Sequence, residues 1–116
     1  MNQETIIQRQ IMLALSEAGC LVFRNETAGA WVGKVIHKEG NLVTLANARM
    51  VTFGLCVGSS DIIGCDPEGR FIGAEVKTAT GKPTPEQRNF IDNINRKGGI
   101  AGIVRSPLDA LKLIGR

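Results

Sequence analysis

The stretch Asp61-Ile62-Ile63-Gly64-Cys65-Asp66-Pro67-Glu68-Gly69-Arg70-Phe71-Ile72-Gly73-Ala74-Glu75-Val76-Lys77 constrains this chain more than any other. Pro67-Glu68-Gly69 suits a three-residue hairpin loop, a type I turn closed by a left-handed glycine in a G1 bulge. In that register Asp66 pairs with Arg70, and counting five residues outward along each strand sets Asp61 directly opposite Glu75. Side chains opposite one another on one face have Cβ atoms roughly 4.5–5.5 Å apart. Strand alternation puts Lys77 on that same face. The other face carries Ile62, Ile72, Ala74 and Val76, an apolar set fit for a core.

Two ionised carboxylates facing each other without compensation are destabilising. A divalent cation between them removes the conflict, and a site of carboxylate and carbonyl oxygens suits Mg²⁺ or Mn²⁺. Against this stands a plainer reading, in which Asp61 and Glu75 are solvated acids on an exposed sheet face. A Glu-x-Lys tripeptide alone is weak evidence. Here, however, Glu75-Val76-Lys77 is the only acid-x-Lys in the sequence, and its register partner is an aspartate.

Periodicity supplies the rest of the architecture. Ile7, Ile11 and Leu15, widened by Ile6, Met12 and Leu13, predict a helix over 2–18 with Asn2 as N-cap and Gly19 just past its end. Residues 20–24 read as a short strand. Val35–Lys38 and Leu42–Leu45 flank the turn Glu39-Gly40-Asn41, so 32–53 reads as a β-hairpin followed by another short strand. The central strands fall at roughly 60–65 and 70–78. Thr84 and Pro85 then open a second helix with Phe90, Ile91 and Ile94 inward, and Gly98-Gly99 stops it. A strand at 100–104 and a short helix with Leu108, Leu111 and Ile114 inward complete the chain. This order predicts a single α/β (α+β) domain over 1–116, a central mixed sheet flanked by helices, with an inserted hairpin.

Gln87 fits two roles. Thr84-Pro85-Glu86-Gln87 matches a capping box, in which Gln87 reaches back to the Thr84 backbone. At the start of a helix just after the Lys77 strand, it is equally placed to orient a water or Lys77. Glu4 is favoured in the first turn of its helix by the macrodipole alone, yet it shares a face with Ile7 and Ile11 and so can point towards the sheet. Arg24, Asn25 and Glu26 end the first strand, where they either touch a phosphate or form a polar strand end.

Bulk properties exclude more than they identify. The longest apolar runs fall far short of the 18 or more residues a membrane helix needs, and residues 1–5 are polar, unlike a signal peptide. Cys20, Cys56 and Cys65, with His37 as the only histidine, argue against a zinc site or a disulfide framework. An intracellular, cytoplasmic protein is expected. The net charge of +3 and pI near 9.0 are compatible with a polyanion but do not demand one.

Asp61 followed by Glu75-Val76-Lys77 resembles the PD-(D/E)XK nuclease signature. Together with Glu4, Phe23-Arg24-Asn25, Gly58-Ser59-Ser60-Asp61-Ile62-Ile63-Gly64 and Pro85-Glu86-Gln87, the pattern resembles the virus-type replication-repair nuclease (VRR-NUC) family, from Glu4 to the strand at 100–104. The resemblance implies a restriction-endonuclease-like core, hydrolysis of DNA phosphodiesters to 5′-phosphate and 3′-hydroxyl ends, and a DNA-repair context in a phage or bacterium. It implies Glu4, Asp61, Glu75 and Lys77 as active-site residues, with Gln87 as the family's helix-borne glutamine.

The expected scheme has Asp61, Glu75 and the Val76 carbonyl holding Mg²⁺ or Mn²⁺, while Lys77 positions or helps deprotonate the attacking water. Arg24, Lys34, Lys38, Arg49, Lys82 and Arg88 are the candidate phosphate contacts. No helix carries exposed Arg and Asn at base-reading spacing, so recognition by shape is expected, with branched DNA preferred. Cutting two strands symmetrically needs two active sites, hence a homodimer resembling a four-way-junction resolvase, with the 32–53 hairpin as its interface or as an arm that grips DNA. The alternatives are a non-catalytic DNA-binding or assembly module, or a nuclease acting on RNA or on restriction-type duplex sites.

Overall fold

The computed structural model describes residues 2–116. In chain order the elements are α1 (Gln3–Glu17), β1 (Leu21–Arg24), β2 (Ala28–Glu39), β3 (Leu42–Phe53), β4 (Ile62–Cys65), β5 (Phe71–Val76), α2 (Pro85–Arg96), β6 (Ile100–Val104) and α3 (Pro107–Leu113). The predicted order of elements holds except for the separate short strand expected after the hairpin.

The caps explain where the helices begin. Asn2 accepts the Thr5 N–H at 2.8 Å through its side chain, and Gly19 takes the left-handed conformation (φ +92°) past the end of α1. Thr84 caps α2 with Pro85 at the first position, and Ser106 caps α3 by accepting from Asp109 N–H.

Four strands form one sheet in the order β1-β4-β5-β6. β1, β4 and β5 pair antiparallel, whereas β5 and β6 run parallel because α2 carries the chain back across the sheet. The predicted register of the β4–β5 hairpin is the observed one. Ile62 pairs with Ala74 and Cys65 with Phe71, and the turn closes through Gly69 N–H to the Asp66 carbonyl at 2.9 Å with Gly69 at φ +87°. Asp66 locks this turn: one carboxylate oxygen accepts the backbone N–H groups of Glu68 and Arg70, and the other meets the Arg70 guanidinium at 2.8 Å.

Ile62, Ile72, Ala74 and Val76 lie fully buried against Ile11 and Leu15 of α1, with Val104 and Ala110 completing the core. α2 packs on the opposite face, where Phe90 stands over Gly73 and meets Phe71 edge-on. The result is a layer of α1 and α3, the mixed sheet, and a layer of α2. Three helix faces differ from expectation. Ile6 and Leu13 are 44% and 61% exposed, because Ile11 and Leu15 already fill the narrow contact with the sheet. Leu108 points outward and Ala110 packs in its stead, since α3 approaches the core closely enough to need a small side chain. Phe90, Ile91 and Ile94 do form the inner side of α2, but are only half-buried, as α2 covers an open part of the sheet.

The inserted hairpin is longer than predicted. β2 and β3 have 12 residues each, joined by Gly40-Asn41 because Glu39 pairs with Leu42. The segment read as a separate strand after Leu45 is the continuation of β3, carried past two register shifts. Together they form a two-stranded sheet of their own that projects from the body. The molecule measures 52 × 30 × 29 Å, and its radius of gyration of 16.9 Å exceeds the value of about 13 Å for a compact chain of about 100 residues.

Candidate active site

The β4–β5 register delivers both acids to one place. Asp61 sits immediately before β4, and its carboxylate accepts the Val76 N–H at 2.9 Å across the hairpin. Its own carbonyl accepts the Asn25 N–H at 2.7 Å, extending the β1–β4 pairing by one bond. Glu75, on β5, is only 2% exposed. One of its oxygens, Oε2, lies 3.7 Å from Lys77 Nζ and 3.3 Å from the Gln87 amide nitrogen. The other, Oε1, is buried with no hydrogen-bond donor.

The electrostatics follow from that arrangement. Burial is the chief reason the Glu75 carboxyl is pushed up to about 8. The adjacent Asp61 carboxyl, close enough to share a proton with it, is the second reason. Lys77 opposes the rise, and Glu4 adds a small push of its own. Two carboxyls forced together, one carrying an undonated buried oxygen, form a site short of positive charge.

This donor set fits a hard divalent cation. Asp61 and Glu75 supply carboxylate oxygens. The Val76 N–H points at Asp61, and a strand residue aims its carbonyl to the same side as its N–H, so a backbone oxygen faces the same side. Among the described residues no group of three or more His, Cys, Asp or Glu side chains that could hold a metal ion is present, so side-chain ligation would rest on the Asp61–Glu75 pair.

Gln87 fills the capping role, and the partner of its amide within the site is Glu75 rather than Lys77. Its carbonyl oxygen accepts the Thr84 N–H at 2.8 Å in a complete capping box, leaving its amide nitrogen free to donate to Glu75. Gly58 makes that position possible. It adopts φ +86°, and a Cβ there would stand 2.5 Å from the Glu86 carbonyl oxygen, so only glycine lets the first turn of α2 settle against the loop before Asp61. Glu4 is exposed in the first turn of α1, where its charge reaches Glu75 without joining the pair.

The candidate phosphate contacts are all exposed, and they fall on different elements. Arg24 is already paired with Glu26 at 2.8 Å. Lys34, Lys38 and Arg49 ride on the hairpin, while Lys82 lies in the loop before α2 and Arg88 on α2 itself. Asn25 is not a phosphate contact but a buried brace: its amide nitrogen donates to Ser59 and the Ser60 carbonyl, and its oxygen accepts the Leu55 N–H. Two residues escaped the sequence reading. Gln8 is buried and directs its amide nitrogen at the Asp61 carbonyl, 3.4 Å away; its four-residue spacing from Glu4 was the available signal. Arg105 donates to the Thr78 and Gly81 carbonyls and so ties down the loop after Lys77; nothing in the sequence marked it.

A mixed sheet with helices on both faces, bearing an acid pair and a lysine where its central hairpin opens, defines a nuclease-type domain with a restriction-endonuclease-like core. Comparison with known proteins agrees: the model of the VRR-NUC domain family matches residues 31–107, and this chain belongs to that family. A solved structure described as a VRR_NUC domain superposes with a TM-score of 0.61 at 19% identity, covering 98% of this chain and 96% of that one. No curated protein matches. Among the described residues no helix is long and apolar enough to cross a membrane.

Proposed function

We propose that this protein is a metal-dependent DNA endonuclease that hydrolyses phosphodiester bonds in branched DNA. The observation that carries the reading is the buried Glu75 carboxylate facing Asp61 with one oxygen lacking any donor. Such a pair is costly unless a cation or a proton resolves it.

Asp61, Glu75 and the Val76 carbonyl would hold Mg²⁺ or Mn²⁺, which when bound supplies Lewis acidity to the phosphoryl oxygen and lowers the pKa of water. Lys77 keeps its ammonium beside Glu75, where it offsets phosphate charge and orients the attacking water. Gln87 holds the Glu75 side chain in place from a capped, rigid helix end. The exposed Arg24, Lys82 and Arg88 lie on the elements that carry the site and are suited to the DNA backbone, without reading sequence.

The hairpin supports action as a homodimer. Trp31, Val35, Ile36, Leu42, Val43, Met50 and Phe53 are all about half exposed or more on a two-stranded sheet, an element that is marginal in water by itself. A second copy covering these faces would bring two sites to one junction. Lys34, Lys38 and Arg49 on the same arm would then lie along the DNA.

The test is a cleavage panel of four-way junction, flap, plain duplex, single-stranded DNA and RNA, with Mg²⁺, Mn²⁺ or EDTA. The reading expects ion-dependent cutting that favours branched DNA and disappears in Glu75→Ala and Lys77→Ala. Cutting in EDTA, or cutting retained by either variant, refutes it.

A further inference from the structure

We infer that Gln8 is a positioning residue of the acid site, holding Asp61 through its backbone carbonyl. The inference rests on the proposed cation site, but it concerns a residue that carries no charge and lies outside the span matched to the family.

Asp61 lies one residue outside β4, where a strand end frays unless it is tied down. Three contacts hold it. Two are backbone donors of the sheet, Asn25 N–H to its carbonyl and Val76 N–H to its carboxylate. The third, from the Gln8 amide nitrogen, is the one that comes from a helix. Gln8 is 9% exposed and stands on the face of α1 that continues into Ile11 and Leu15, where an apolar side chain would pack at no cost in desolvation. A glutamine kept there spends its amide on the Asp61 carbonyl.

Residues that orient metal ligands from behind are worth about 10- to 100-fold in affinity. At 3.4 Å the bond is long, so the lower end of that range, about ten-fold, is the effect expected.

Gln8→Met keeps the length and volume of the side chain and removes the donor. The experiment titrates Mn²⁺ into the full-length chain by calorimetry, for wild type, Gln8→Met and Asp61→Asn. It also follows the Val76 amide resonance, which reports the Asp61 carboxylate directly. The inference expects Gln8→Met to bind Mn²⁺ about ten-fold more weakly, with a displaced Val76 resonance and an unchanged far-ultraviolet spectrum. Gln8→Met binding as tightly as wild type, with Val76 unmoved, overturns it while leaving the cation site standing. No saturable Mn²⁺ binding by wild type overturns the cation site, and the role of Gln8 falls with it. Should Gln8→Met not fold, Gln8→Asn, which keeps the amide but draws it back by one carbon, is judged by the same two readouts.

Discussion

Replacing Glu75 by glutamine should stabilise the ion-free protein, and by an amount that grows with pH. In the folded chain burial and Asp61 lift the Glu75 carboxyl from an ordinary 4.5 to about 8. Between those values the native state holds a proton that the unfolded state has released. Stability therefore falls as pH rises through that window and levels off above it. At about 1.4 kcal/mol per pH unit, the whole window amounts to about 5 kcal/mol. Glu75→Gln has the same shape, carries no charge, and presents an N–H that the Asp61 carboxylate can accept. The assay is urea unfolding in EDTA at pH 5, 6, 7, 8 and 9 for both proteins. Their curves should diverge steadily up to about pH 8, the variant being the more stable, and saturating Mn²⁺ should rescue only wild type. Parallel pH profiles in EDTA would refute the reasoning, because all other titrating groups are common to the two chains.

Other consequences test separate contacts. Gln87→Ala should cost about 1 kcal/mol through the lost helix cap and should also weaken cleavage. Gln87→Glu should restore less of the activity than of the stability, as compared by thermal melting and initial rates. Gly58→Ala should destabilise by more than about 1 kcal/mol, measured by urea unfolding, since the left-handed backbone and the nearby Glu86 carbonyl both exclude a methyl. Asn25→Ala strands the Leu55 N–H and the Ser60 carbonyl, and a loss of about 1–3 kcal/mol is expected together with faster amide exchange over 55–61. Trp31→Lys with Met50→Glu, opposite one another on the arm, should convert the proposed dimer to monomers in light scattering without unfolding the body.

The register was readable because a three-residue turn with glycine at its left-handed position admits one pairing, and that pairing carries Asp61 to Glu75. Capping was equally plain: Asn2, Thr84 and Ser106 act locally, so their neighbours suffice to reveal them. Burial depends on distant partners and was harder. Leu108 and Leu13 match the helical period, yet the close approach of α3 and the narrow footprint of α1 leave them in water. The hairpin was shortened because bulges near Gly33 and Ile36 break the alternation on which strand reading relies. Within the site, the acids and Lys77 followed from one strand pair. Gln8 and Arg105 did not, as each acts across tertiary contacts on a backbone carbonyl, a partner that no residue type advertises.

The most direct test is calorimetric titration of Mn²⁺ into the ion-free protein at pH 7, in two buffers of different ionisation heat. Wild type should take up one ion per chain and release a fraction of a proton or more, because Glu75 is protonated below about 8 and must give up its proton to coordinate. Asp61→Asn/Glu75→Gln should show neither binding nor release. Wild type that takes up no ion, or a double variant that binds as tightly, would contradict the account.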